Sequence, residues 1–369
     1  MKSNIPVVMM AWLLLQVACS TWGATLYNLI DLGTLGQYSR NSDGYCINNL
    51  NEVVGHTDGY ATRFDTSGQG SNIALGALGG IYSYANAIND QGQIVGTAYK
   101  PGNYYCRATK FDSTGGGNNI DLGTLGGTHS YANSINENGE IVGYSYTKST
   151  GSGSLATLFD PTGNGNNISL GTLGGDDSEA FAINNKRQIV GFAYTASNQR
   201  HATLFEATDG GENIDLGTLV GYDSWAYSIN DQGQVVGYSH TPSGSHATLF
   251  DITGGGNNID LGMGVAYSIN ERGQIVGVNS DNAGDYAVMF DAASGGTNIN
   301  LNNLIDPSLG WKLCVASSIN DSGCITGGGY NASGVYHAYL LTPVPEPATL
   351  VLLGLGGLVI RKAKGKSIK

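Results

Sequence analysis

The stretch SYANAINDQGQIVG at residues 83–96 constrains this chain more than any other, because it returns six more times. Close copies are SYANSINENGEIVG from Ser130, SEAFAINNKRQIVG from Ser178 and SWAYSINDQGQVVG from Ser224; looser ones begin at Ser42, Gly264 and Cys314. Their final glycines are Gly55, Gly96, Gly143, Gly191, Gly237, Gly277 and Gly327, spaced 40 to 50 residues apart. Seven units of that length have the period of propeller blades. Units of such an array bury their apolar faces only against their neighbours. One continuous fold therefore overrides the two domains that 369 residues would otherwise permit.

Each unit holds four β-like runs, which in the second copy span 84–89, 93–99, 107–112 and 119–122. With 57 glycines and only 12% charged residues, the composition suits many short strands and tight turns. The turn Asn89-Asp90-Gln91-Gly92 has the chemistry of a type I turn that leads into a left-handed residue. Asn51 stands for that glycine in the first copy, which a positive φ tolerates, whereas Arg187 in the fourth has no local reason. Only small residues occupy the places of Ala85 and Ala87, which predicts one crowded strand face opposite the one ending in Ile88. Asn follows that Ile in every copy (Asn48, Asn89, Asn136, Asn184, Asn230, Asn270, Asn320) and is expected to hydrogen-bond within its own turn.

Counting strands predicts how the ring closes. The fourth-strand pattern, ending in LG or its variants, follows six units, from Ile73, Ile120, Ile168, Ile214, Ile259 and Ile299. A further copy, LYNLIDLGTLG from Leu26, stands alone before the first unit, and the last unit has none. The expected fold is therefore all-β, a seven-bladed propeller of four-stranded blades whose N-terminal strand completes the last blade. Closure removes open sheet edges, and a β-solenoid would need no such complement.

The third strand repeats as ATxF, once AVMF, followed by an acid, with His201, His246 and His337 preceding its Ala in three copies. These histidines lie on different blades, so they read as strand decoration rather than one metal site. The acids Asp65, Asp112, Asp160, Glu206, Asp251 and Asp291 open Gly-rich loops and read as turn caps, with a weak calcium site as the other reading. Cys46, Cys106, Cys314 and Cys324 occupy non-equivalent positions, which excludes a repeated zinc framework and leaves room for one disulfide. No nucleophile elbow, HExxH pair or phosphate-binding loop is present, so neither catalytic residues nor a cofactor or metal is assigned.

Loop lengths differ most between second and third strands, and in a propeller these loops share a face with the blade connections. Tyr99, Tyr104, Tyr105, Tyr144 and Tyr146 fall near that face, as do Tyr194, Tyr222, Trp225 and Tyr238. Rings there can stack on sugars, or simply fill blade surfaces.

The ends read as addresses. Residues 1–24 combine Lys2, an apolar run and small residues around Cys19, the parts of a secretory signal for signal peptidase. Val344 to Pro347 reads VPEP, followed by 13 apolar residues at 348–360 and a basic tail. As a helix of about 1.5 Å per residue, that run is too short for a comfortable membrane anchor, so its membrane contact is transient. Pro345, Glu346 and Pro347 in this setting resemble the PEP-CTERM sorting signal of bacterial exported proteins. The resemblance implies recognition and tail removal by a membrane-embedded exosortase.

The repeats, with DLGTLGG, AxxINxxGxIVG and HAxxF elements, resemble extracellular HAF-repeat proteins, which implies export but no defined reaction. The domains expected are a signal peptide at 1–24, the propeller at 25–343 and the sorting signal at 344–369. Setting aside Lys2 and five basic residues after Ile360 leaves 11 of 17 positive charges against 29 negative, a net of about −18. No basic stripe is left for nucleic acid. The reading is an exported cell-surface or matrix module, non-enzymatic, with extracellular polysaccharide as its expected partner. The alternative is a glycan-processing enzyme, a hydrolase or lyase, on the Tyr-rich face.

Overall fold

Each blade grows from its Asn-x-x-Gly turn. The fourth position of that turn takes a positive φ, 72° at Gly92, 63° at Asn51 and 64° at Arg187. A left-handed non-glycine residue costs about 1 kcal/mol. At Arg187 this is partly offset by an ion pair, Nε lying 2.8 Å from Glu140 Oε1 of the preceding blade. The computed structural model describes residues 26–344, except 37–39, 149–152, 209–211, 283 and 293–296.

Seven four-stranded antiparallel sheets result. In blade two the strands, from first to fourth, are Ser83–Ile88, Ile94–Tyr99, Cys106–Phe111 and Ile120–Asp121. Blade seven consists of Lys312–Ile319, Ile325–Tyr330 and Tyr336–Pro343, and Tyr27–Gly33 pairs with its outer edge. The register sets Tyr27 against Pro343 and Ile30 against Leu340. The N-terminal strand thus closes the last blade, as the strand count predicts.

One expectation is corrected. The small residues of the first strand do not share a face, because a β-bulge between Ala85 and Ala87 reverses the alternation. Ala85 and Ile88 pack together against Val54, Ala61 and Leu75 of blade one. Ala87 instead faces Ala132, Ile135 and Ile141 of blade three. The bulge also explains the glycine that ends every signature. A Cβ at Gly96 would overlap the Tyr84 carbonyl oxygen, and the same holds at Gly55, Gly143, Gly191, Gly237, Gly277 and Gly327 against their own first strands.

The signature Asn does more than cap its turn. Asn184 Oδ1 accepts the N–H groups of Lys186 and Gln188 at 3.1 and 2.9 Å. Its Nδ2 donates to Gln188 Oε1 and across the blade gap to the Asn230 carbonyl, at 2.8 and 2.9 Å. All seven make the inter-blade bond at 2.8–3.1 Å, and Asn320 returns to the Asn48 carbonyl, so the ring of bonds is closed. On the outer strands a second asparagine set links neighbouring blades. Asn72 Nδ2 donates to the Leu32 carbonyl of the N-terminal strand, and Asn119 to that of Leu75. Cys46, Cys106, Cys314 and Cys324 are unpaired.

Candidate functional site

The bulge decides what the variable face presents. Above it, alternate first-strand residues and their cross-strand partners share one side of each blade: Asp43 with His56, Tyr131 with Tyr144, Glu179 with Phe192 and Trp225 with Tyr238. The second-to-third-strand loops sit beside the blade connections, since Gly80, Gly127 and Leu173 donate to the carbonyls of Tyr99, Tyr146 and Tyr194.

Stacked rings fill much of this region. Tyr131 lies on Tyr144 with centroids 4.5 Å apart, and Trp225 on Tyr238 at 4.7 Å and 3°. Tyr227 joins Phe181, Tyr238 and Tyr267 into one chain across three blades. The Arg200 guanidinium lies over both Tyr194 and Trp225, and Nε donates to the Tyr194 hydroxyl at 2.6 Å. Of the nine rings singled out from sequence, Tyr144, Trp225 and Tyr238 belong to these stacks. Tyr99, Tyr146 and Tyr194 are half-buried at the ends of second strands. Tyr104 and Tyr222 stand 79% and 75% exposed, and Tyr105 is exposed beside His129. The nine do not form one cluster.

Two carboxyls lie among the rings, and neither was singled out from sequence. Burial, reinforced by Asp177, pushes the Glu179 carboxyl up to about 7, with Arg200 opposing. Burial likewise raises Asp43 to about 6 although the Tyr336 hydroxyl donates to it. Beside Asp43 opens a cleft of about 760 Å³ lined by Arg40, Asn41, Tyr330, Gly334, Val335 and Tyr336. A second hollow of about 470 Å³ shares Tyr330 and Tyr336 and adds Tyr267, Asp285, Lys312 and Cys314. His56 Nδ1 and Thr97 Oγ1, at equivalent places in adjacent blades, are buried without a hydrogen-bond partner. The available signal was the aromatic run Tyr45, Phe181, Tyr227 and Tyr267 at one first-strand position, two residues after Asp43, Glu179 and Trp225.

The three histidines are not mere decoration. His201, His246 and His337 place Nδ1 2.8, 3.0 and 2.8 Å from Asp215, Asp260 and Asp31 of their own blades' fourth strands. In blade two Lys100 serves Asp121 at 2.8 Å. Where Tyr60, Leu155 or Tyr286 replaces the His, the fourth strand carries Ala74, Ser169 or Asn300, so the basic and acidic partners come and go together. Burial opposes ionisation of Asp31 and Asp215, but the His and backbone hydrogen bonds outweigh it and hold both carboxyls below their usual range. These pairs clamp outer strands of separate blades.

The Gly-rich loops after Asp65, Asp112, Asp160 and Asp251 are closed by their own acids. Asp112 Oδ1 accepts from Thr114 N–H and Oγ1 at 3.0 and 2.6 Å, while Oδ2 accepts from Asn118. Those donors, the Thr114 hydroxyl first, lower its carboxyl to about 2 and occupy the oxygens a cation would need. At the opposite mouth, Asn49, Asp90, Glu137, Asn185, Asp231, Glu271 and Asp321 each accept a backbone N–H from a neighbouring blade, a second closed circle. Among the described residues no three His, Cys, Asp or Glu gather as metal ligands would.

Residues 343–363 match the PEP-CTERM protein-sorting motif. The motif implies an exported protein recognised by an exosortase. Pro345, Glu346, Pro347 and the apolar run at 348–360 lie outside the described residues, as do residues 1–24, read from sequence as a secretory signal. Among the described residues no helix is long and apolar enough to cross a membrane. No curated protein matches the sequence.

Among solved structures, the extracellular domain of a hybrid two-component system from B. thetaiotaomicron aligns at 10% identity and a TM-score of 0.51, over 86% of this chain and 39% of its own. The present chain thus spans about two fifths of that structure, and the likeness is one of fold alone. A gluconolactonase from Xanthomonas campestris aligns at 11% identity and a TM-score of 0.42, over 88% and 93% of the two chains. AofleA from Arthrobotrys oligospora aligns at 10% identity and a TM-score of 0.33, over 86% and 89%. At those scores neither bears on what this chain does.

Proposed function

We propose that this chain is an exported HAF-type repeat protein, freed of residues 1–24 by signal peptidase and trimmed near Pro345–Pro347 by an exosortase. Its propeller, residues 25–343, then works at the cell surface or in the extracellular matrix as a non-enzymatic module that binds polysaccharide. The observation that carries this reading is the gathering of aromatic rings, carboxyls and clefts on the one face where blade loops differ in length. Rings with polar edges beside oxygen acceptors suit the alternating C–H and hydroxyl surfaces of sugars. A glycan array and pull-down with the folded propeller test it: retention of a polysaccharide supports the reading, and an empty array removes it.

A second reading, a glycan-processing enzyme, is favoured by one observation. Asp43 and Glu179, with carboxyls raised to about 6 and about 7, each lie among tyrosines on that face. A carboxyl that keeps its proton above the usual carboxylate range, as Glu179 does up to about pH 7, is suited to general-acid work. Release of reducing ends or unsaturated sugars, lost in Asp43→Asn or Glu179→Gln, would establish it. Binding without turnover would exclude it.

A further inference from the structure

Blade seven departs from its siblings at the joint it makes with blade one. After the signature glycine the other second strands carry His56, Thr97, Tyr144, Phe192, Tyr238 or Val278, whereas the last reads Gly327, Gly328, Gly329. A Cβ at Gly328 would overlap both Asp43 Oδ1 and the Tyr336 hydroxyl. The missing side chain is therefore what lets a carboxyl of blade one meet a phenol of blade seven. The walls are held in place. The N–H groups of Arg40 and Asn41 donate to the Asp58 carboxylate at 2.7 and 3.1 Å. Asn331 Oδ1 accepts from Ser333 and Val335 at 3.0 and 3.1 Å and so fixes the facing loop. Tyr330, 46% exposed, stands edge-on to Tyr336 at 5.2 Å.

We propose that this cleft between blades seven and one is the binding site for a neutral saccharide with vicinal hydroxyls. Asp43 and Tyr336 would form its floor, Asn41 and Arg40 its donors, and Tyr330 a platform for the sugar's C–H face. The inference rests on the polysaccharide-binding reading and names its site and ligand class. The cleft of about 760 Å³ lies within the range of small-ligand sites. A carboxylate can accept two adjacent hydroxyls, and amide and guanidinium N–H groups donate to sugar oxygens. Elsewhere on this face Trp225 is covered by Tyr238 and Arg200, and Tyr131 and Tyr144 cover each other. Tyr104 and Tyr222 are more exposed still, but Tyr330 keeps an open ring at the wall of this cleft. A net charge of about −18 once the basic ends are set aside, 11 positive against 29 negative, with Asp43 in the floor, disfavours uronate polymers.

The test is calorimetry of the exported propeller with neutral glucan and mannan hexasaccharides, the corresponding methyl glycosides, and polygalacturonate. Asp43→Asn and Tyr330→Ala should each weaken neutral-sugar binding at least tenfold while both variants still melt cooperatively, Asp43→Asn no lower than wild type. Leu50→Ser, on the opposite face and 65% exposed, should leave binding intact. Binding of methyl glycosides alone assigns a chain-end sugar, and binding of hexasaccharides only an internal stretch; both support the site. Neutral-sugar binding untouched by the two variants overturns the cleft but spares the polysaccharide reading. Preference for polygalacturonate overturns the ligand class. Absence of binding to every probe removes both.

Discussion

Asn184 concentrates four hydrogen bonds in one buried side chain, two within its turn's backbone, one to Gln188 and one to blade five. Truncation to Ala takes the acceptor from the Lys186 and Gln188 N–H groups and the donor from Gln188 Oε1, at about 1–3 kcal/mol each when fully buried, while the Asn230 carbonyl keeps the Gly233 N–H. Relaxation and water at the turn soften this, and we expect Asn184→Ala to cost about 2–4 kcal/mol, read as a lower urea midpoint at constant m. Arg187→Gly goes the other way. It relieves about 1 kcal/mol of left-handed strain and gives up an exposed ion pair worth a few tenths, so the midpoint should rise slightly. Glu179 makes stability depend on pH. Its carboxyl is raised to about 7 by burial first and Asp177 second. From the usual carboxylate range up to about pH 7 the native state holds a proton that the unfolded chain has lost. Stability is therefore highest below that window and falls as pH rises through it. Glu179→Gln should remove Glu179's share of this slope, leaving that of Asp43, and gain about 1–3 kcal/mol over wild type at pH 8. Equal slopes in melts at pH 5 and pH 8 would mean that Glu179 ionises normally.

The first hairpin is the element on which each blade depends. Its bulge lets Ala85 and Ile88 share one interface while Ala87 faces the other, and it brings the Tyr84 carbonyl against Gly96. Gly96→Ala must push the two strands apart, and we expect a loss above about 3 kcal/mol, as for other steric insertions into a packed interior. Melting of the variant against wild type checks it; a shift of only a degree or two would show that the hairpin can open without penalty. The parity reversal also explains why sequence reading went astray here. Small residues at Ala85 and Ala87 look like one face when strict alternation is assumed, and nothing local in SYANAI announces the extra residue.

Across the whole molecule, the weakest logical point is the joint where chain ends meet. Tyr27–Gly33 supplies the outer strand of blade seven, a partner for His337 and an acceptor for Asn72 of blade one. Removing residues 26–33 leaves the edge of Tyr336–Pro343 open, a template for intermolecular pairing. The truncated propeller should elute as aggregates without a cooperative melt, and a synthetic peptide of residues 26–34 added during refolding should restore a monomer. A truncated monomer melting at the wild-type temperature would contradict the role assigned to the strand.

Blade number, strand order, the turn chemistry and the closing strand were legible in the chain because they repeat. A residue at a given place in the unit sits at the same place in each blade, so seven copies average out local ambiguity. The sorting motif was legible for a different reason: it is read as linear chain, without a fold. Tertiary structure alone decided which unlike positions meet. Asp31 and His337 are 306 residues apart and touch because the ring closes. Asp43 finds Tyr336 because one blade has glycine where six have side chains. The signature Asn reaches its neighbour's carbonyl only once the blades stand at their final angle. Periodicity specifies the unit, whereas contacts between different units depend on the geometry of the closed circle, which no single repeat contains.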